Sequence, residues 1–132
     1  MGKLIPVELV QILRTEQGYV VRTDTENRGS GETLSQAFAD LKDKASGEIF
    51  LETAEYVLLT ENARDCVRNL SGYFRPGTQI YQAPPLEDLA FAAEYLGQHS
   101  VSSPLFRLEE AGELPCLVKQ EGGLTFENGK GK

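Results

Sequence analysis

The sequence predicts an α/β chain of the α+β type: a mixed β-sheet of about four to six strands with three or four helices packed on it, and hairpins at both ends of the chain. Three observations carry this. Two alternating β-branched runs, "VELVQIL" and "YVVRT", flank a short polar turn near the N-terminus. Three stretches then repeat apolar residues at spacings of three and four, the period of a helix with one buried face. Near the C-terminus a Gly-Gly pair separates two further short apolar runs.

Taken in order, Val7 to Leu13 forms a strand, "TEQG" turns it, and Tyr19 to Thr23 returns as its partner. The next stretch, "ENRGSGET", gathers residues that tolerate tight turns, and reads as a loop. Thr33 can then N-cap a helix whose inner face is Leu34, Ala37, Phe38, Leu41 and Ala45, ending at Gly47. A second helix, capped by Thr60 or Asn62, carries Ala63, Cys66, Val67 and Leu70 on one stripe and stops at Gly72. After a Pro-Gly turn, Thr78 to Ala83 reads as a strand.

Pro84-Pro85 leads into a third helix from Leu86 to Gly97, with a proline at its first turn, Leu89, Ala90, Ala93 and Leu96 facing inward, and Glu87 and Asp88 at its N-terminus. One more short helix can follow Ser103, with Gly112 as its stop. The chain closes as strand, Gly-Gly turn and strand. Residues 1–127 are expected to form one globular domain, and 128–132 a disordered basic tail.

Between the first two helices lies "GEIFLETAEYVLLT", apolar at both ends and acidic in the middle. A continuous strand would put Glu55 on the same face as Ile49, Leu51, Val57 and Leu59, a costly burial for an unpaired carboxylate. A break between Glu52 and Glu55 removes the conflict. It leaves "IFL" as a short edge segment and "YVLL" as a central strand buried on both faces.

Composition bounds function. The chain has 132 residues, 40% hydrophobic and 25% charged, with a net charge of -7. An acidic surface repels phosphate backbones, so nucleic acid is not an expected partner. No apolar run approaches the ~20 residues of a transmembrane helix. "MGKLIPVELVQIL" runs directly into a strand, so an export signal or lipid-attachment cysteine would lie upstream of it. Cys66 and Cys116 make no CxxC pair; both are expected as buried thiols, the first on a helix stripe and the second in a strand, with a disulfide between them as the alternative.

No catalytic motif stands out. "NRGSGET" has neither the Gly-Lys-Ser/Thr ending of a P-loop nor GxGxxG spacing. Glu52 and Glu55 have no partner groups that would make them an acid/base pair. His99, the single histidine, stands in a polar "GQHS" loop apart from other ligand types, and no GxSxG is present. The expectation is therefore no enzyme, no catalytic residue, no metal and no cofactor. The aromatics Tyr56, Tyr73, Phe74 and Tyr81, with Arg75 among them, can line a groove, and Tyr73, Phe74 and Arg75 are the candidate contacts for a ligand or protein partner.

The stretch from Gly31 to Arg75 resembles the N-terminal domain of the Ger(x)C family, the C-subunit lipoproteins of bacterial spore nutrient-germinant receptors. The features shared are the helix start at Gly31 to Leu34, Phe50 in a short segment, the aliphatic strand Val57 to Leu59, the acid- and alanine-containing start Glu61 to Ala63, and Phe74-Arg75. "VQILRTEQGYVVRT" is similar to the family's opening strands, and "LEDLAFAAEYL" to its following helix. Where the family often places His after its aromatic strand, this chain reads "LETAEY".

The resemblance implies a non-catalytic interaction domain, extracytoplasmic and membrane-associated, that assembles with membrane or spore-envelope partners such as germinant-receptor-like subunits. The alternative from another class is a small-molecule-binding sensory α/β domain with a pocket near Tyr73, Phe74 and Arg75.

Overall fold

The N-terminal hairpin is part of a five-stranded mixed sheet. The computed structural model describes residues 3–108 and 113–127, and its strands are β1 (Leu4–Pro6), β2 (Leu9–Thr15), β3 (Gly18–Thr23), β4 (Arg28–Gly31), β5 (Glu48–Phe50), β6 (Tyr56–Leu59), β7 (Gln79–Gln82), β8 (Leu117–Gln120) and β9 (Gly123–Phe126). The main sheet has the order β4-β3-β2-β6-β7, antiparallel on the β2, β3, β4 side and parallel from β2 through β6 to β7. β1 and β5 pair in parallel as a separate ribbon, and β8 and β9 form the C-terminal hairpin. A mixed sheet with helices on it is thus the observed architecture.

Helix α1 (Leu34–Lys44) starts as its sequence dictates. Thr33 accepts from the Gln36 N–H, and the Gln36 side chain accepts in return from the Thr33 N–H, a reciprocal cap that satisfies two orphan donors. Leu34, Ala37, Phe38 and Leu41 are buried, and Lys42 and Lys44 lie in the last turn, where the helix dipole favours cations. The stripe at Ala63, Cys66, Val67 and Leu70 is buried as its spacing predicts, but its backbone, Glu61–Gly72, is a run of 3-10 turns instead of an α-helix. The Thr60 hydroxyl does not cap it; it donates to Asn62 Oδ1 at 2.8 Å.

Three further elements need correction. "ENRGSGET" is not a loop throughout, because Arg28–Gly31 is the edge strand β4. Its two glycines share the face toward α1, and the helix backbone sits so close that a Cβ on Gly29 would lie 2.3 Å from the Leu41 nitrogen and 2.4 Å from the Ala37 carbonyl oxygen. Small residues at alternate positions admit the helix there, a pattern easily taken for turn chemistry.

The third helix, α2 (Leu89–His99), begins three residues later than expected. Asp88, whose carboxylate accepts from the Phe91 N–H at 2.9 Å, is its cap, and the prolines stay in the extended approach. That shift turns Ala92 inward, leaves Ala90 exposed, and carries the helix past Gly97. Thirdly, the helix expected after Ser103 is a single 3-10 turn, Leu105–Arg107. Its expected stop, Gly112, and the tail 128–132 lie outside the described residues.

The sheet separates two apolar layers. On one face Val10, Ile12, Val21, Val57, Leu59 and Ile80 pack with α1 and the 61–72 segment; on the other Leu9, Tyr56, Leu58 and Tyr81 pack with α2, Leu117 and Leu124. β6 is covered on both faces, which explains its uninterrupted "YVLL". "GEIFLETAEYVLLT" breaks where burial demands. Leu51–Thr53 forms a 3-10 turn between β5 and β6, and both Glu52 and Glu55 are exposed.

Tyr81 illustrates the depth of the second layer. Its side chain is fully buried, its hydroxyl donates to the Val101 carbonyl, and burial with Tyr56 alongside pushes its pKa up to about 12 from the ordinary 10.0. The unfolded chain releases this proton first, so the contribution to stability is complete below about pH 10 and is lost as pH rises toward 12. We expect Tyr81→Phe to remove about 2–3 kcal/mol of alkaline destabilisation over that interval. Urea titrations at stepped pH would check it, and parallel stability curves for the two proteins would refute it.

Candidate functional site

The three residues singled out from sequence follow the 61–72 segment and diverge. Tyr73 and Phe74 both donate their N–H to the Leu70 carbonyl, which turns their rings onto α1. Phe74 is buried and meets Phe38 edge-on at 5.9 Å; Tyr73 is half-buried and lies 4.5 Å from the same ring. Aromatic packing of this kind holds the 3-10 segment against the helix. Arg75 points the other way and is exposed.

Arg75 reaches the break in "GEIFLETAEYVLLT". Its Nη2 lies 2.8 Å from Glu55 Oε2, and its Nε donates to the Glu52 carbonyl at 3.1 Å. Thr78 adds a buried bond from its hydroxyl to the Ala54 carbonyl, and Thr53 Oγ1 both accepts from the Val7 N–H and donates to the Val7 carbonyl. The acids are therefore part of a clamped turn. A half-exposed ion pair of this sort fixes geometry more than it adds stability.

One neighbour was not legible in sequence. The 3-10 turn 105–107 docks on the 76–78 segment through bonds from the Leu105 N–H to the Thr78 carbonyl (2.8 Å) and from the Phe106 N–H to the Pro76 carbonyl (3.0 Å). Leu105 sinks into the first apolar layer, whereas Phe106 remains 58% exposed with the Arg107 guanidinium 5.7 Å from its ring centroid. Phe106 and Arg107 thus form an exposed pair of aromatic and arginine character, docked beside Pro76, on an acidic protein. The only hint in "SSPLFRLEEAG" was an apolar pair followed by Arg, which reads equally as one more helix.

Other candidate chemistry is dispersed. His99 is exposed, stacked on Tyr95 at 4.6 Å, and no group of three or more His, Cys, Asp or Glu among the described residues is placed to hold a metal ion. Cys66 is a buried thiol; burial raises its pKa, with the Tyr19 hydroxyl bonded to it acting in the opposite direction. Cys116 is half-buried next to β8, bridged in parallel to Gln82, and is not a residue of the strand itself. Four open clefts of about 420 to 600 Å³ are lined elsewhere, the widest by Leu13, Arg14, Thr60, Glu61, Asn62 and Pro85; none of these four includes Tyr73, Phe74 or Arg75.

Among the described residues no helix is long and apolar enough to cross a membrane. Comparison with known proteins finds no matching family model, no matching curated protein and no matching solved structure.

Proposed function

We propose that this chain is a non-catalytic interaction domain, similar to the first domain of spore germinant-receptor C subunits, which assembles with membrane or spore-envelope protein partners outside the cytoplasm. The observation that supports this best is the surface around Phe106. An aromatic side chain more than half exposed, with the Arg107 guanidinium at its ring and its N–H bonded to the Pro76 carbonyl, next in sequence to Arg75, has the composition of an interface centre, where arginine and aromatic residues are enriched. Tyr73 and Phe74 anchor on Phe38 the backbone that leads to Arg75 and Pro76. The Arg75 clamp on Glu52 and Glu55 ties the same surface to the start of β6.

Co-expression with membrane proteins encoded by neighbouring reading frames, followed by affinity capture of this chain, tests the reading. The intact protein is expected to retain a membrane subunit, and Phe106→Ala to weaken retention by roughly tenfold to a hundredfold, the effect of removing an aromatic anchor. Because Phe106 is exposed, its truncation should leave the melting temperature nearly unchanged, which separates lost binding from lost folding. No capture of any such subunit, together with a concentration-dependent thermal shift from one small molecule, would replace this reading with that of a sensory domain.

A further inference from the structure

The main sheet ends at β7 on one side and β4 on the other, and the two edges are closed differently. β7 is covered by returning chain: the Ile80 N–H donates to the Ser103 carbonyl and the Gln82 N–H to the Pro115 carbonyl, both at 2.9 Å. β4 has no strand beyond it among the described residues. The Thr23 N–H donates to the Asn27 carbonyl, so in the alternating antiparallel ladder Gly29 and Gly31 face β3, and the main-chain groups of Arg28 and Ser30, with the Glu32 N–H just past the strand's end, face outward. An outward row of this kind is a template for another strand.

Helix α1 occupies that row. Asp40 Oδ2 accepts from the Ser30 N–H at 2.9 Å, and Gln36 Oε1 accepts from the Glu32 N–H at 3.0 Å. Lys44 Nζ, 3.0 Å from the same Asp40 oxygen, holds the carboxylate in place. Two of the three outward donors are thereby taken by side chains of the helix that the β4 glycines admit.

The strand is also complementary to itself. Two copies of β4, paired antiparallel about a two-fold axis at Ser30, would exchange both bonds between the serines and set Arg28 of each copy opposite Glu32 of the other. Opposite charges directly across a ladder favour that register. We propose that β4 is a latent homodimerisation edge whose partner is a second copy of this chain, and that Asp40 and Gln36 are the latch that keeps it closed.

Sedimentation velocity across a concentration series tests this. The intact chain is expected to remain monomeric, and Asp40→Ala, an exchange to a good helix former, to raise the self-association constant at least about tenfold. Asp40→Asn keeps an acceptor for Ser30 and should stay monomeric. In the Asp40→Ala background, Arg28→Glu would set like charges across the two-fold and abolish the dimer; adding Glu32→Arg would restore it. A natively folded Asp40→Ala protein that is monomeric throughout overturns the proposal, as does a dimer indifferent to the charge exchange. Should the Asp40→Ala variant fail to fold, Gln36→Ala supplies the same comparison with the Ser30 bond intact and a smaller increase expected; no increase there overturns it.

Discussion

Gly29→Ala is expected to destabilise the protein by about 3–4 kcal/mol, the upper range for a single added methyl group. The added carbon would meet backbone on three sides: Leu41 nitrogen at 2.3 Å, Ala37 oxygen at 2.4 Å and the Leu41 Cα at 2.6 Å. None of these atoms can rotate away, so α1 would have to lift from the sheet. That would loosen the Leu34, Ala37, Phe38 and Leu41 face and the Phe38 contacts with Tyr73 and Phe74. Ser30→Ala, one position along on the opposite face, is the control and should change stability by less than about 1 kcal/mol. Urea denaturation would measure both. Equal midpoints for Gly29→Ala and the intact chain would show that the helix does not rest on this strand.

Arg22→Ala is the second large effect, about 2–3 kcal/mol, and its origin is electrostatic. Arg22 Nη1 donates to Gln11 Oε1 at 2.9 Å and to the Leu86 carbonyl at 2.6 Å, while Nη2 donates to the Glu87 carbonyl at 3.0 Å. One guanidinium therefore fastens the segment leading into α2 onto the sheet. Gln11 is fully buried, and its Nε2 has no hydrogen-bond partner among the described residues. Removing Arg22 would strand the other end of that amide as well, which carries the full cost of a buried polar group left unpaired.

The two positions should be strongly coupled. Gln11→Leu removes an unsatisfied amide and leaves Arg22 two backbone acceptors, so it should be close to neutral, within about 1 kcal/mol. In that background Arg22→Ala should cost about 1–2 kcal/mol less than alone, and the double-mutant cycle reports the difference. Additive losses would mean that Arg22 acts only through the 86–87 carbonyls.

Much of the architecture was legible in sequence because its signals are local. The α1 cap at Thr33, its four buried positions, the β2-β3 hairpin and the break before β6 each follow from spacing and the cost of burying a carboxylate. The exceptions share one physical cause. "RGSG" has no apolar alternation because its inner face meets helix backbone in place of side chains, and only Gly fits there. Pro84-Pro85 offered a plausible first turn for α2, yet Leu86 is buried ahead of the helix and Arg22, 64 residues away, holds its carbonyl, so Asp88 became the cap.

The candidate site was less legible than the fold. Tyr73, Phe74 and Arg75 are adjacent in sequence, but the turn after Gly72 sends two rings inward and the guanidinium outward to Glu55. The turn that carries Phe106 and Arg107 docks on the segment just after Arg75 through two main-chain bonds, from Leu105 and Phe106 to residues some 27 to 30 positions earlier, which no local pattern encodes.

The sequence by itself determined which segments alternate, which carry a helical stripe, and that the acids of "GEIFLETAEYVLLT" must lie outside the core, since propensity, capping and burial cost act over a few residues. Tertiary structure alone decided the strand order β4-β3-β2-β6-β7, the closing of both sheet edges, and the docking of the Phe106 turn on Pro76 and Thr78. Those outcomes depend on contacts between residues far apart in the chain, whose free energy exists only once the layers have packed.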